Sequence, residues 1–202
     1  MPSDPVKEEE TQSIRANVFF ALLTALNDIM GQDGKNSVLR YAKLDEYIEV
    51  CAPHNISEDE TIPYKTFHAL LNSMFTLLGF GTSAILYEAG RKWLIYLSPF
   101  GLSLEEMIKK LEKWMGGKWE LVKKDDHEII RIYQCPICHN FKSTSQKPMC
   151  HIISGVLSKI KESGTGEKYD VIETKCIALG EKMCEFKIVK KDKIHVKDFL
   201  KE

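Results

Sequence analysis

Five of the six cysteines of this chain fall between positions 135 and 184, and any fold it adopts must find places for those thiols. The densest stretch is Glu173 to Phe186, ETKCIALGEKMCEF, in which Cys176 and Cys184 flank a glycine turn. A hairpin turning symmetrically about Gly180 sets these two cysteines opposite each other. Directly opposed β carbons lie about 4.5–5.5 Å apart, so both thiolates reach one tetrahedral zinc ion. Cys150 follows Pro148 at the expected first turn of a helix, where free amide donors and the helix dipole favour thiolate over thiol. It is a third soft ligand. The competing reading is that all three are small buried hydrophobes.

Compartment decides what clustered cysteines do. The N-terminal MPSDPVKEEETQ has no basic start followed by an apolar run, and no later apolar stretch reaches the roughly 18 residues of a membrane span. A cytoplasmic protein with no membrane partner is therefore expected. Structural disulfides are disfavoured there, which leaves metal binding or redox chemistry. With 28 Lys+Arg against 29 Asp+Glu, the net charge of -1 gives no global attraction to nucleic acid, and none is expected as a partner.

Hydrophobic spacing divides the chain into a helical first half and a strand-rich second half. Val18, Phe19, Leu22, Leu23, Leu26 and Ile29 recur at helical intervals from Ser13 to Met30, where GQDG stops the pattern. Further helices are expected over Ser37–Tyr47, Pro63–Leu78, TSAILYEAGRKWLIYL and SLEEMIKKLEKWMGG, the last with a Ser103/Glu106 capping box. Trp119–Lys123 and Glu128–Tyr133 read as a hairpin. A helix carrying Ile152, Ile153, Val156, Leu157 and Ile160 on one face follows, and KYDVIETKC with CEFKIVKK makes a second hairpin. This order predicts an α+β domain with helices packed on a mainly antiparallel sheet. Its expected extent is 13–190, between a flexible tail at 1–12 and a C-terminal tail at 191–202.

QCPICHN is a separate signal. Cys135, Cys138 and His139 satisfy the C-x-x-C-H pattern of covalent haem attachment, resemble a redox dithiol, and also suit a zinc knuckle completed by two later cysteines. They stand as a second metal or redox site, and a thiol-based sensor using Cys135 and Cys138 is an alternative function if those thiols are exposed. His68, Trp93, Tyr96 and Phe100 are candidate lining for an apolar ligand pocket, with core packing as the competing explanation. No P-loop, Gly-rich dinucleotide fingerprint or catalytic-triad context is present.

PMCHIISGVL followed by VIETKCIALGEKMCEFKI resembles the C-terminal signature of the 4-vinyl reductase domain family, a cysteine opening a helix and then E-x-x-C, a Gly turn and C-x-F. GTSAILYEAGRKW, SLEEMIKKLEKWMGG and IYQCPIC stand upstream in the family's order, so the resemblance runs from about Ser13 to Lys190. Members are similar to the ligand-binding domain of phenol-sensing regulators and to Golgi-transport tethering-complex subunits. The resemblance implies a fold enclosing an apolar cavity, a homodimer, and a structural zinc held by Cys150, Glu173, Cys176 and Cys184. Glu173 and Cys176 are an odd number of residues apart and point to opposite faces of a regular strand, so ligation by both requires a bulge between them. The implied function is binding of a small hydrophobic molecule, as sensor or carrier. With no output domain expected in the chain, a protein partner would carry the signal. A catalytic or accessory role in vinyl-group reduction is the other alternative.

Overall fold

The computed structural model describes residues 12–49, 57, 59–97, 102–125, 127–139 and 147–191. Among these the chain forms an α+β fold of five α-helices and two antiparallel sheets. A short pair, β1 (Ser13–Arg15) and β2 (Thr61–Pro63), ties the start of the fold to the entry of the second helix. The helices are α1 (Ala16–Tyr41), α2 (Tyr64–Leu78), α3 (Thr82–Leu97), α4 (Leu104–Met115) and α5 (His151–Thr165). The main sheet contains β3 (Lys118–Lys123), β4 (Glu128–Tyr133), β5 (Tyr169–Lys175) and β6 (Cys184–Lys190) in the order β3-β4-β6-β5.

Two expected boundaries are corrected. Ser13–Arg15 is a strand rather than the first helical turn, because its backbone pairs with Thr61–Pro63. The helices expected over Ser13–Met30 and Ser37–Tyr47 are one element, α1, kinked at Gly31 with φ 73° and ψ 172°. Glycine adopts that conformation without a Cβ penalty, so the GQDG signal marks a break in direction and not an end. The remaining helices match their patterns closely. Ser103 accepts from the Glu106 amide while the Glu106 carboxylate accepts from the Ser103 amide, the reciprocal cap that S-L-E-E encodes. The tails expected at 1–12 and 191–202 lie almost wholly outside the described residues. No described helix is long and apolar enough to cross a membrane.

α3 packs between α1 and α5, and α5 in turn packs on β5 and β6. The α3–α5 crossing is unusually close, for a reason legible in two residues. A Cβ on Gly90 would stand 2.1 Å from the Ile152 carbonyl oxygen, and one on Gly155 would stand 2.0 Å from the Tyr87 carbonyl oxygen. Only glycine lets the two backbones touch, at a cost of about 1 kcal/mol each in helix propensity. Beside this contact Arg91 Nη2 donates to Glu162 Oε2 at 2.6 Å and Nη1 donates to Ser158 Oγ at 3.1 Å. The hydrogen bond from Arg91 holds the Glu162 carboxyl below its ordinary value. A carboxyl lowered on folding stabilises the protein above its unfolded pKa of about 4.3, and that contribution is lost as pH falls through the folded value. Glu162→Gln should therefore cost up to about 1 kcal/mol at pH 7. Urea midpoints of the two proteins should converge in acid.

Trp93 belongs to the same core. It is 1% exposed, and its Nε1 donates to the Val18 carbonyl oxygen at 2.9 Å, fixing α3 against α1. Trp93→Ala is expected to cost about 3–5 kcal/mol, read as a fall in the urea midpoint.

Candidate metal centre

Three chain segments meet at the end of the main sheet, and each delivers cysteines. The first is the turn after β4. Gln134 takes a positive φ of 51°, and the Cys135 carbonyl then accepts from the amides of Cys138 at 3.0 Å and His139 at 2.7 Å. This folds C-P-I-C back on itself with both thiols inward and fully buried. The second is the start of α5. Cys150 sits at the N-cap position and its carbonyl accepts from the Ser154 amide. The third is the β5–β6 hairpin, closed by a 3-10 turn over Ile177–Leu179 and by Gly180 with φ 92°.

The bulge required between Glu173 and Cys176 is present. Glu173 pairs with Phe186 and Lys175 with Glu185, so β5 spends one residue more than β6 over this step. Continuing the register by one residue brings Cys176 level with Cys184. Glu173 and Cys176 consequently share the face on which Cys184 and Phe186 are buried, and the Ile177 amide donates to Cys184 Sγ at 3.4 Å.

Cys138, Cys150, Glu173, Cys176 and Cys184 each offer a ligand atom within 4.8 Å of all the others. Cys138 Sγ lies 3.0 Å from Cys150 Sγ and 3.5 Å from Cys176 Sγ. Cys150 Sγ lies 3.7 Å from Cys184 Sγ and 3.6 Å from Cys135 Sγ. Four sulfurs at about 2.3 Å from one tetrahedral ion are about 3.8 Å apart, so the thiols already stand at nearly that spacing. Glu173 Oε2 accepts from the Cys150 amide at 2.8 Å, while its buried Oε1 has no hydrogen-bond partner. A buried oxygen without a partner, beside soft thiol donors, fits a site that could hold a metal ion.

Electrostatics divide the thiols into proton holders and thiolates. Burial, reinforced by hydrogen bonds with the other four cysteines, pushes Cys150 well above the ordinary thiol value, and the bond with Cys135 raises Cys138. Hydrogen bonds from Cys138 and Cys150 lower Cys176 to about 6. At Cys184 the bond with Cys135 acts upward, but those with Cys138, Cys150 and Cys176 bring it to about 5. Cys135 is raised by burial and more strongly lowered by Cys138, Cys150, Cys184 and the Ile137 amide. Burial, then Cys176 and Cys184, push the Glu173 carboxyl up to about 10. The expectation that the dipole at the start of α5 favours a Cys150 thiolate is therefore corrected. In the metal-free cluster its burial among four other thiols outweighs the dipole.

The separate second site expected at Cys135, Cys138 and His139 does not exist as such. Both cysteines join the main cluster, and His139, half-buried, is not among the converging ligand atoms. Nor are Cys135 and Cys138 exposed, which was the condition for the thiol-sensor alternative. The four pocket candidates have different settings. Trp93 is core. Tyr96 is 46% exposed and its hydroxyl donates to Asp28. His68 is half-buried and bonded to the Pro136 carbonyl at 2.7 Å, so Nε2 carries the hydrogen and α2 is tied to the C-P-I-C turn. Phe100 lies outside the described residues. The same side of the turn is held by Tyr64, whose hydroxyl donates to the Met115 carbonyl at 2.5 Å and is pushed up to about 12 by burial, with the nearby Cys135 adding to the rise. Sequence reasoning missed both α2 contacts, because nothing in TFHALLNSMF specifies a partner 68 residues away.

Comparison with known proteins converges on the same region. The model of the 4-vinyl reductase domain matches residues 129–190, which hold all five clustered cysteines. An uncharacterised protein of Methanocaldococcus jannaschii, MJ0150, is 30% identical over 139 residues, 66% of this chain and 79% of that one. A solved vinyl-4-reductase family protein from Methanocaldococcus jannaschii superposes with a TM-score of 0.50 at 22% identity, covering 77% of this chain and 93% of that one. An oxygen-binding H-NOX domain related to soluble guanylate cyclases gives a TM-score of 0.55 at 16% identity, covering 90% of this chain and 97% of that one. At these identities the two solved structures establish a shared fold.

Proposed function

We propose, from the premise that this chain belongs to the 4-vinyl reductase domain family, that it is a zinc-stabilised binding module for a small hydrophobic molecule, acting as sensor or carrier. The observation that carries the metal half of this reading is the convergence of five buried thiols and a carboxyl from three separate segments. Cys150, Cys176 and Cys184 would hold the ion, with a fourth donor from Glu173 or from the C-P-I-C turn. Four protein ligands leave no position for an activated water, so such an ion fastens the fold and supplies no redox chemistry. The fastening joins the β5–β6 hairpin to the start of α5.

The ligand half rests on the family and on the fold shared with H-NOX domains, one of which is an oxygen binder. An apolar interior between the helices and the sheet is where a small hydrophobic molecule would be taken up. Signalling or delivery would then pass through a second copy of the chain or another protein.

Native mass spectrometry of freshly purified protein tests both halves. The expected spectrum shows about one zinc per chain, a single small apolar adduct and a dimer. Metal-free protein would defeat the zinc reading. Consumption of reduced nicotinamide in the presence of a vinyl substrate would defeat the binding-module reading and make the chain an enzyme.

A further inference from the structure

The cluster offers more donors than one ion needs: five thiols and a carboxyl stand where a tetrahedral ion takes four. We propose that the ion is held by four cysteines, Cys138, Cys150, Cys176 and Cys184, with Glu173 positioning Cys150 and Cys135 standing outside the set. This rests on the zinc reading above and deepens it, because it brings a third chain segment into the site.

Cys138 qualifies on geometry. Its sulfur is 3.0 Å from that of Cys150 and 3.5 Å from that of Cys176, and it belongs to the group whose ligand atoms all lie within 4.8 Å of one another. Cys135 does not belong to that group, although its sulfur approaches Cys150 to 3.6 Å. The backbone presents Cys138 rather than leaving it to chance, since the Cys138 and His139 amides both donate to the Cys135 carbonyl and close the turn beneath it. Glu173 has work of its own. Its Oε2 takes the amide hydrogen of Cys150, which satisfies a donor at the start of α5 and sets the direction of the Cys150 side chain. Between a fourth thiolate already at tetrahedral spacing and a carboxyl engaged with the backbone, the softer sulfur is the better match for zinc among cysteines.

The consequence is mechanical. With Cys138 as ligand, the ion joins the turn after β4 to α5 and to the β5–β6 hairpin. His68 Nε2, donating to the Pro136 carbonyl, extends the link to α2. The helical layer and the sheet layer are then fastened through one centre.

X-ray absorption at the zinc edge of the purified, zinc-loaded chain counts the ligands directly. The expected result is a single shell of four sulfurs at about 2.3 Å. Cys138→Ser should lose one sulfur and gain a lighter scatterer at about 2.0–2.2 Å. Cys135→Ser and Glu173→Gln should keep four sulfurs, with Glu173→Gln weakening zinc retention about 10- to 100-fold, as loss of a group orienting a ligand does. Three sulfurs and one oxygen in the unaltered protein would overturn the assignment, as would loss of a sulfur in Cys135→Ser with none lost in Cys138→Ser. Should Cys138→Ser fail to fold, the spectra of the unaltered protein and of Glu173→Gln decide alone. Bound zinc with the wrong shell refutes only this ligand set, whereas a chain that takes up no zinc refutes the reading beneath it.

Discussion

Cys184→Ser is expected to purify without zinc and to lose cooperative unfolding, or to retain it only at a much lower temperature. Cys184 is fully buried at the first position of the inner strand β6, paired with Ile132 on one side and level with Cys176 on the other. If it were only a small buried residue, placing a hydroxyl there would cost about 1–3 kcal/mol for an unsatisfied polar group. Structural zinc changes the scale, because metal binding to such sites is worth about 10–16 kcal/mol and is coupled to folding. Total stability of a domain is about 5–15 kcal/mol, so loss of the ion exceeds what the rest of the fold can offset. Cys176→Ser should behave alike, and a strong chelator should reproduce the effect in the unaltered protein. Thermal unfolding followed by circular dichroism, with zinc measured on the same samples, decides. Full metal content in both variants, or melting within a few degrees of the parent, would show that these thiols are packing residues.

Much of this site could be read before the fold was known, for a definable reason. Hairpin symmetry about Gly180 is a local property, and it placed Cys176 against Cys184 correctly. The parity of Glu173 and Cys176 called for an irregular strand, and the bulge between Glu173 and Lys175 supplies it. What local reasoning could not supply was the position of the C-P-I-C turn relative to the hairpin. That depends on β4 lying beside β6 instead of β5, an order set by packing across the whole sheet. Two apparent sites thus became one. The helices show the same division. Amphipathic spacing located α2 to α5 nearly to the residue, whereas the β1–β2 pair was invisible because three-residue strands carry no period and exist only through each other. Trp93 and Tyr96, three positions apart on α3, could not be sorted into core and surface until α1 was seen to cover one and leave the other beside Asp28.

Two glycines of a single helix should respond to alanine with opposite signs. Gly155 and Gly164 both lie within α5, and helix propensity alone predicts that either substitution stabilises by up to about 1 kcal/mol. At Gly164 nothing lies within 4 Å of the added Cβ, so that gain should appear as a small rise in the urea midpoint. At Gly155 the Cβ would fall 2.0 Å from the Tyr87 carbonyl oxygen and 3.1 Å from the Arg91 amide nitrogen, both backbone atoms of α3 that no rotamer change can move aside. The helices must separate by more than an ångström, loosening the reciprocal Gly90–Ile152 contact as well as the Arg91–Glu162 bond. Overpacking of a filled core costs about 1–3 kcal/mol and occasionally more, and a backbone-to-backbone crossing belongs at or above the top of that range. The effect should reach the metal centre, because α5 begins one residue after Cys150 and its displacement carries that thiol away from Cys176 and Cys184. Gly155→Ala should accordingly unfold about 3 kcal/mol more easily and release zinc to a chelator faster than the parent, while Gly164→Ala should do neither. Equal stability of Gly155→Ala and Gly164→Ala would mean that α3 and α5 do not cross as closely as described.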